Sequence, residues 1–159
     1  MSEIDGLGHV GIYTEDLMKM RDFYARVIGL QITDEDLDRG LVFMSANPEY
    51  EHHEFALFKG RDVPGGAKLI NQISFKVTTL NDLKELHRRL QRENVKIDRF
   101  VSHGISLGLY FYDPEGNRVE LYYKTGFKVP QPLSEPVDIE APNEKLLATA
   151  RAAIPSGRR

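Results

Sequence analysis

Apolar residues recur along the chain with two spacings, and the same succession of spacings occurs twice. Alternation of apolar and polar residues predicts strands, and a spacing of three and four residues predicts amphipathic helices. The first half of the chain predicts a strand, a helix and three more strands, at 8–13, 14–29, 30–33, 41–45 and 52–59. The second half predicts the same order, at 71–77, 79–94, 95–100, 107–112 and 119–123. Turns or loops are expected at 34–40, 47–51 and 113–117.

The two halves align at an offset of 63 residues, which is typical of an internal repeat. The offset superposes the apolar stripes of the two helices: Leu17, Met20, Phe23 and Val27 fall on Leu80, Leu83, Leu86 and Leu90. Thr14 or Asp16 is expected to cap the first helix, with acidic residues in its first turn, and Gly29 to end it. The predicted fold class is α+β, with two tandem βαβββ modules forming a shared, partly open mixed-sheet cup.

We expect one domain over residues 1–125, followed by a tail. Module one is predicted at 6–60, a linker at 61–68 and module two at 69–125. The tail at 126–159 contains five prolines, so it is expected to be extended, with a short helix at 144–153 and a frayed end.

Each sheet is predicted to have one face covered by its helix and one polar face. In the first strand, Val10 and Ile12 lie on the helix side, and His9 and Gly11 lie opposite. Because the opposite faces are too polar for an ordinary core, their side chains are candidates for chemistry. These candidates are His9, His53, Gln72, His103, Tyr110 and Glu120.

The residue types of these candidates suit a metal site, but they also suit a plainer interpretation. Imidazole and carboxylate are the usual ligands of Fe(II), Mn(II) and Zn(II), and His9 and Glu120 could bind one ion between the modules. A carboxylate in an apolar strand is costly unless it is paired or bound to a metal. However, a single histidine on a strand is more often a hydrogen-bonded core residue, and Glu120 could be an edge-strand residue that faces water. Residue types alone leave both interpretations open.

The remaining histidines carry less information. A strand can send only one of His52 and His53 inward, and alternation places His53 on the side of Phe55. His52 is therefore expected to face solvent. His87 lies in a helix rich in Lys and Arg, so it is expected to be a solvated or boundary residue without a role.

Composition excludes several classes of function. The 159 residues are 41% hydrophobic and 28% charged, with a net charge of −3, so no broad surface for binding nucleic acid is implied. The absence of cysteine excludes disulfides, thiolate metal sites and a cysteine nucleophile. We expect no phosphate-binding glycine loop, no signal peptide and no apolar run long enough to span a membrane. We expect a soluble cytoplasmic protein without a nucleic-acid or membrane partner.

Motifs at both ends of the repeat resemble those of the vicinal oxygen chelate superfamily. These motifs are G-H-V-G-I-Y at 8–13 and D-P-E-G-N-R-V-E-L-Y at 113–122. The superfamily includes glyoxalase I, methylmalonyl-CoA epimerase, fosfomycin and bleomycin resistance proteins, and type I extradiol dioxygenases. The resemblance covers about residues 6–125 and is specific for the fold rather than for the reaction.

A sharper resemblance is to the one-domain type I extradiol ring-cleavage dioxygenases. It rests on V-S-H at 101–103, L-Y at 109–110, D-P at 113–114, Gly116, Glu120, H-H-E-F-A-L at 52–57 and T-G-F-K-V-P-Q-P at 125–132. It implies an oxidoreductase of aromatic compound catabolism, which cleaves a small catecholic substrate with dioxygen and forms a homo-oligomer.

The same resemblance implies roles for individual residues. His9 and Glu120 would be metal ligands, and His53 would be an acid/base residue near the bound dioxygen. His103 and Tyr110 would hydrogen-bond the catecholate. Aromatic side chains are expected to hold the substrate ring and exclude water; these are Phe43, Phe55 and Tyr110.

One position departs from the family pattern. The family's third ligand is a histidine on the first strand of module two, where this sequence has Gln72. An amide oxygen can bind a divalent metal, but it is neutral and harder than imidazole and should weaken Fe(II) binding. Fe(II) is the expected cofactor, with Mn(II), Ni(II), Co(II) and Zn(II) as alternatives. Two other functions stay open: a non-oxygenase lyase, isomerase or epimerase that uses Gln72 as a ligand, and a metal-free protein that binds an aromatic ligand.

Overall fold

Two open sheets and a small number of helices make up the α+β fold of the computed structural model, which describes residues 7–63 and 70–153. The chain divides into two compact units, Met1–Ala67 and Lys68–Arg159. Most of the predicted linker and the whole of the predicted frayed C-terminus lie outside the described residues.

The first unit contains a four-stranded sheet and one helix. Its elements are β1 (Val10–Thr14), α1 (Leu17–Asp22) with a π-helical continuation (Phe23–Ile28), β2 (Gln31–Asp36), β3 (Leu41–Ser45) and β4 (Phe55–Lys59). The strand order is β1-β4-β3-β2. β1 and β4 pair in parallel, and the other pairs are antiparallel.

The second unit repeats this arrangement and adds the tail. Its elements are β5 (Ile73–Val77), α2 (Leu80–Arg92), β6 (Ile97–Ser102), β7 (Ser106–Tyr112), β8 (Arg118–Lys124), β9 (Glu135–Pro136) and α3 (Asn143–Ala152). The strand order is β5-β8-β7-β6-β9, and only β5 and β8 pair in parallel.

The topology of the two units confirms the repeat. β1 and β5 begin 63 residues apart, and α1 and α2 do as well. In each module the first strand pairs in parallel with the last, which requires a crossover that the helix and two intervening strands supply.

Helix ends follow the local chemistry of the sequence. The Asp16 side chain accepts a hydrogen bond from the Lys19 backbone N–H, and Gly29 ends the helical segment with φ 95°. The expected acidic residues in the first turn are absent from α1, because Glu15 and Asp16 precede it. Thr79 and Asp82 form a reciprocal capping box at the start of α2.

The largest differences from the predicted strand boundaries are in β2 and β4. β2 extends to Asp36 through residues predicted as a turn; it lies at the sheet edge, where charged side chains can remain in solvent. β4 begins at Phe55 rather than at His52, since His52 and His53 precede the paired segment.

Alternation along the strands of the second sheet separates an apolar face from a polar one. The apolar side chains on one face are fully or almost fully buried; they include Leu109, Phe111, Val119 and Leu121. Tyr110 and Glu120 alternate with these residues and lie on the opposite face.

The tail forms part of the second unit. Its helix α3 confirms the predicted short helix and buries Leu146 and Ala150. Lys84 Nζ donates to the Ala141 carbonyl at 2.6 Å, and His87 Nδ1 lies 3.2 Å from Glu140 Oε1. The expectation that His87 is a solvated or boundary residue was wrong, because the packing of the tail against α2 buries it. Within residues 7–63 and 70–153, no helix has the length and apolar character needed to cross a membrane.

Candidate functional site

Three histidines and a phenylalanine form a contiguous cluster of rings in the first unit. His9 precedes β1, and His52 and His53 precede β4, so the parallel pairing of these strands brings them to one end of the sheet. The ring centroids of His9 and His53 are 4.5 Å apart, as are those of His53 and Phe43. His52 Nδ1 lies 3.0 Å from His53 Nδ1, so one nitrogen donates and the other accepts.

His53 differs from its neighbours in burial and in protonation. It is half-buried, whereas His9 and His52 are exposed. Burial and, to a lesser extent, the nearby His9 and His52 lower the pKa of the His53 imidazole. A neutral imidazole can accept a proton, so His53 is suited to act as a base near neutral pH. The His53 ring lies against His9. His53 precedes β4, so the alternation of side chains along that strand does not decide its direction.

In the second unit, four neighbouring strands place polar side chains in one row. Ser74 on β5 is opposite Glu120 on β8, which is opposite Tyr110 on β7, and Tyr110 is opposite Arg99 on β6. Directly opposed residues share a face of the sheet, so the row lies across its polar face. Gly108 provides room for this row, because a Cβ there would lie 2.6 Å from Glu120 Oε1.

Glu120 is a buried carboxylate whose hydrogen-bond partners are neutral. It is 7% exposed. Ser74 Oγ donates to Glu120 Oε2 at 2.6 Å, and Gln72 Nε2 donates to the same oxygen at 3.0 Å. Gln72 Nε2 also lies 3.0 Å from Ser74 Oγ, which closes a triangle. Among residues 70–153, no cationic side chain forms an ion pair with Glu120. A buried carboxylate without a cationic partner is an unusual arrangement in a folded protein.

Tyr110 links this triangle to His103. Its hydroxyl lies 3.0 Å from His103 Nε2, and its side chain is opposite Glu120. Burial, followed by the interaction with the nearby Glu120 carboxylate, raises the pKa of the Tyr110 hydroxyl. Tyr110 therefore remains protonated around neutral pH and can donate a hydrogen bond.

Two arginines flank the Tyr110 ring. The guanidinium carbon of Arg118 lies 4.7 Å from the ring centroid, and that of Arg99 lies 5.1 Å from it. Arg118 Nη2 is 3.5 Å from Asp98 Oδ2, but Nε and Nη2 of Arg118 are buried without a hydrogen-bond partner. The stacking of the guanidinium on the aromatic ring offsets part of the cost of these unpaired donors and holds the ring in place.

A divalent cation suits the donors of the second unit. Glu120 provides a carboxylate without a cationic partner, and Gln72 provides an amide oxygen. The amide nitrogen of Gln72 faces Glu120, so metal binding would require the amide group to turn over. Within each unit, the described residues contain no group of three His, Asp or Glu side chains that could hold a metal. His9 belongs to the first unit, and Gln72 and Glu120 belong to the second.

The structure brings together the predicted site residues of each unit. His9 contacts His53 in the first. In the second, Gln72 hydrogen-bonds to Glu120, and Tyr110, which is opposite Glu120, hydrogen-bonds to His103. The expectation that Phe55 lines the substrate site was wrong. Its ring is 1% exposed and contacts Tyr24 at 4.5 Å, on the helix side of the sheet.

Sequence reasoning did not assign functions to Ser74, Arg99 and Arg118. The position of Ser74, two residues after Gln72, placed it on the polar face, but its partner could be identified only from the register of β5 and β8. The two arginines reach Tyr110 from neighbouring strands, which no local spacing reveals.

Residues 6–121 match the Glyoxalase/Bleomycin resistance protein/Dioxygenase superfamily. The chain belongs to this superfamily. The two open sheets, each with a parallel pair joined through a helix, are consistent with the vicinal oxygen chelate fold that was expected from the sequence motifs.

Several curated relatives are named dioxygenases. Biphenyl-2,3-diol 1,2-dioxygenase 2 of Rhodococcus globerulus is 29% identical over 126 residues, which are 76% of this chain and 64% of the relative. Biphenyl-2,3-diol 1,2-dioxygenase 3 of the same organism is 30% identical over 72% of this chain and 61% of its own. The manganese-dependent 2,3-dihydroxybiphenyl 1,2-dioxygenase of Geobacillus genomosp. 3 is 25% identical over 77% of this chain and 38% of its own. The aligned part of the chain thus spans less than two thirds of each relative.

Solved structures with the same fold have more varied names. A glyoxalase/dioxygenase from Nostoc punctiforme has a TM-score of 0.63 at 15% identity and covers 77% of this chain and 92% of its own. The fosfomycin resistance protein FosX from Listeria monocytogenes has a TM-score of 0.60 at 20% identity, covering 75% and 91%. At these identities the likeness establishes the fold alone.

Proposed function

We propose that this protein is a metal-dependent extradiol-type dioxygenase that cleaves a catecholic ring with dioxygen. The observation that carries the proposal is the buried Glu120 carboxylate, whose hydrogen-bond partners are neutral and which lies opposite Tyr110, the partner of His103. The dioxygenase names of the curated relatives support it.

In this proposal His9, Gln72 and Glu120 are the metal ligands. The donor set, one imidazole, one amide oxygen and one carboxylate, suits a divalent first-row metal such as Fe(II) or Mn(II). When bound, the metal would supply Lewis acidity toward the two vicinal oxygens of a catechol and a coordination position for dioxygen. The neutral amide of Gln72 is expected to bind the metal more weakly than an imidazole would.

The other predicted site residues have distinct tasks in this proposal. His53, whose pKa is lowered, accepts a proton from the catechol. Tyr110, whose pKa is raised, stays protonated and turns its single proton from His103 Nε2 to a catechol oxygen when the substrate binds. His103 holds the Tyr110 hydroxyl, and the Phe43 ring beside His53 provides an apolar wall for the aromatic ring.

The proposal is tested by reconstituting metal-free protein with Fe(II) or Mn(II) without oxygen and then admitting air. We expect oxygen uptake and a yellow ring-fission product from 2,3-dihydroxybiphenyl or a simpler catechol. Glu120→Ala should abolish both signals, and Gln72→His should tighten metal binding measured by calorimetry. Stoichiometric metal binding without product or oxygen uptake, across both metals and several catechols, would refute the dioxygenase assignment.

A second candidate is supported by the orientation of Gln72. Its amide nitrogen donates to Glu120, so the carboxylate is already satisfied by neutral donors, which favours a metal-free protein that binds an aromatic ligand. Elemental analysis without metal, together with stoichiometric binding of a catechol and no turnover, would support this alternative. Turnover of a substrate without oxygen would instead point to a lyase, isomerase or epimerase.

A further inference from the structure

A segment of the tail crosses the end of the β6–β7 hairpin, where His103 lies. This segment, residues 125–136, is called the strap below. Its β9 strand pairs with β6, with Glu135 opposite Ser102. The strap therefore runs beside the strand that leads directly into His103.

The strap contacts His103 at both its ring and its backbone. The carbonyl oxygen of Leu133 accepts a hydrogen bond from His103 Nδ1. Gln131 Nε2 donates to the His103 carbonyl oxygen at 2.7 Å, and Gln131 Oε1 accepts from the Leu133 backbone N–H at 3.3 Å. Gln131 thus hydrogen-bonds to the backbone of His103 and to the backbone of Leu133, whose carbonyl accepts from the His103 ring.

The residue after His103 is fitted just as closely against the strap. Gly104 has φ 71°, and a Cβ there would lie 2.8 Å from Val129 Cγ2. Thr125 Oγ1 donates to the Gly104 carbonyl at 2.6 Å. With contacts on its ring, its carbonyl and its neighbour, His103 has little freedom to rotate.

These contacts determine which nitrogen of His103 carries the proton. A carbonyl oxygen is only an acceptor, so the hydrogen bond to Leu133 requires a proton on Nδ1. In the neutral imidazole, Nε2 is then the acceptor. Nε2 is the nitrogen that lies 3.0 Å from the Tyr110 hydroxyl, so Tyr110 can donate to it.

We propose that the strap is a positioning element, in which Gln131 holds the Leu133 carbonyl so that His103 keeps its proton on Nδ1 and accepts a hydrogen bond from Tyr110 through Nε2. The predicted tautomer of His103 rests only on contacts within the second unit. Its consequence for turnover rests on the proposed dioxygenase function, in which His103 and Tyr110 contact the substrate.

The tautomer is measured by ¹⁵N NMR of histidine-labelled, metal-free full-length protein, and the signals of His103 are identified from their loss in His103→Asn. We expect a protonated Nδ1 and an unprotonated Nε2 in the native protein. Gln131→Ala should shift His103 toward a mixture of tautomers. Gln91→Ala, which changes an exposed glutamine on α2, should leave the spectrum unchanged.

A second variant at the same position distinguishes the effect on the tautomer from a general folding defect. Gln131→Glu keeps an acceptor for the Leu133 N–H but removes the donor to the His103 carbonyl, so it should shift the tautomer as Gln131→Ala does. Both variants should remain folded, with a single cooperative thermal unfolding transition and native far-UV circular dichroism. A proton on Nε2 in the native protein, or a tautomer that neither substitution changes, would overturn the proposal.

Kinetics provide the second measurement. If ring cleavage occurs, Gln131→Ala should lower kcat by about threefold to tenfold, as loss of one orienting hydrogen bond does, with KM changed less. If the tautomer shifts as expected but no variant and no native sample turns over a catechol, the strap proposal stands and the dioxygenase proposal fails. If turnover is present and the tautomer and kcat are insensitive to Gln131, the strap proposal fails alone.

Discussion

The hydrogen bond from Ser74 to Glu120 allows a sharp test of how the buried carboxylate is stabilised. Ser74→Ala removes the donor that lies 2.6 Å from Glu120 Oε2 and leaves Gln72 Nε2 at 3.0 Å as the remaining donor to that oxygen. The substitution changes little volume, and Ser74 is exposed, so no cavity should form. Any loss of stability should therefore come from the hydrogen bond itself.

The expected size of the effect follows from the burial of the two partners. Hydrogen bonds to charged groups contribute about 1.5–3 kcal/mol. Glu120 is 7% exposed, but water can reach the exposed position of Ser74 and replace part of the lost donor. We therefore expect Ser74→Ala to lower the free energy of unfolding of metal-free protein by about 1–2 kcal/mol, at the lower part of that range.

The assay is urea unfolding followed by circular dichroism in the presence of a chelator. Ser106→Ala provides a matched control, since it changes a half-buried strand serine of the same sheet and should alter stability by less than about 0.5 kcal/mol. In a Glu120→Leu background, Ser74→Ala should cost much less, because its acceptor is gone. Equal losses in the native and Glu120→Leu backgrounds would refute the view that Ser74 acts through Glu120.

Three further outcomes are expected. The pKa of His53 is lowered in the folded protein, so between that pKa and the ordinary histidine pKa of about 6.5 the unfolded protein binds more protons. Lowering the pH through this interval should therefore reduce stability, and His53→Asn should make the urea midpoint depend less on pH there. An unchanged pH dependence would contradict the assignment. Gly108→Ala should destabilise the protein by about 1–3 kcal/mol through overpacking against Glu120, whereas Gly8→Ala, with nothing within 4 Å of the added Cβ, should have little effect; similar unfolding midpoints would show that the crowding is relieved cheaply. Hydrogen bonding to Arg21 lowers the pKa of Glu35, so at pH values above the ordinary glutamate pKa the substitution Arg21→Met should lower the free energy of unfolding by about 0.5–1 kcal/mol. This loss should disappear as the pH falls through the lowered pKa of Glu35, and a loss that persists there, or that high salt does not reduce, would argue against the ion pair.

Much of the fold is readable from local sequence because its signals have short periods. The stripe that begins at Leu80 has helical spacing, Thr79 and Asp82 cap that helix, and Gly29 supplies the positive φ that ends the first one. The offset of 63 residues between modules extended these local predictions to a topology of two similar sheets, which the parallel pairs β1–β4 and β5–β8 confirm. Alternation in β7 and β8 also placed Tyr110 and Glu120 opposite the apolar core.

By itself the sequence determined the two βαβββ modules and the residue types on their polar faces, because strand and helix periods depend only on near neighbours. The partners of those residues were decided by the tertiary structure. Ser74 meets Glu120 through the register of two strands, and Leu133 reaches His103 across 30 residues of sequence, so neither contact leaves a periodic trace. Alternation counted from Phe55 does not explain the contact between His53 and His9, because β4 begins at Phe55 and His53 precedes the paired segment.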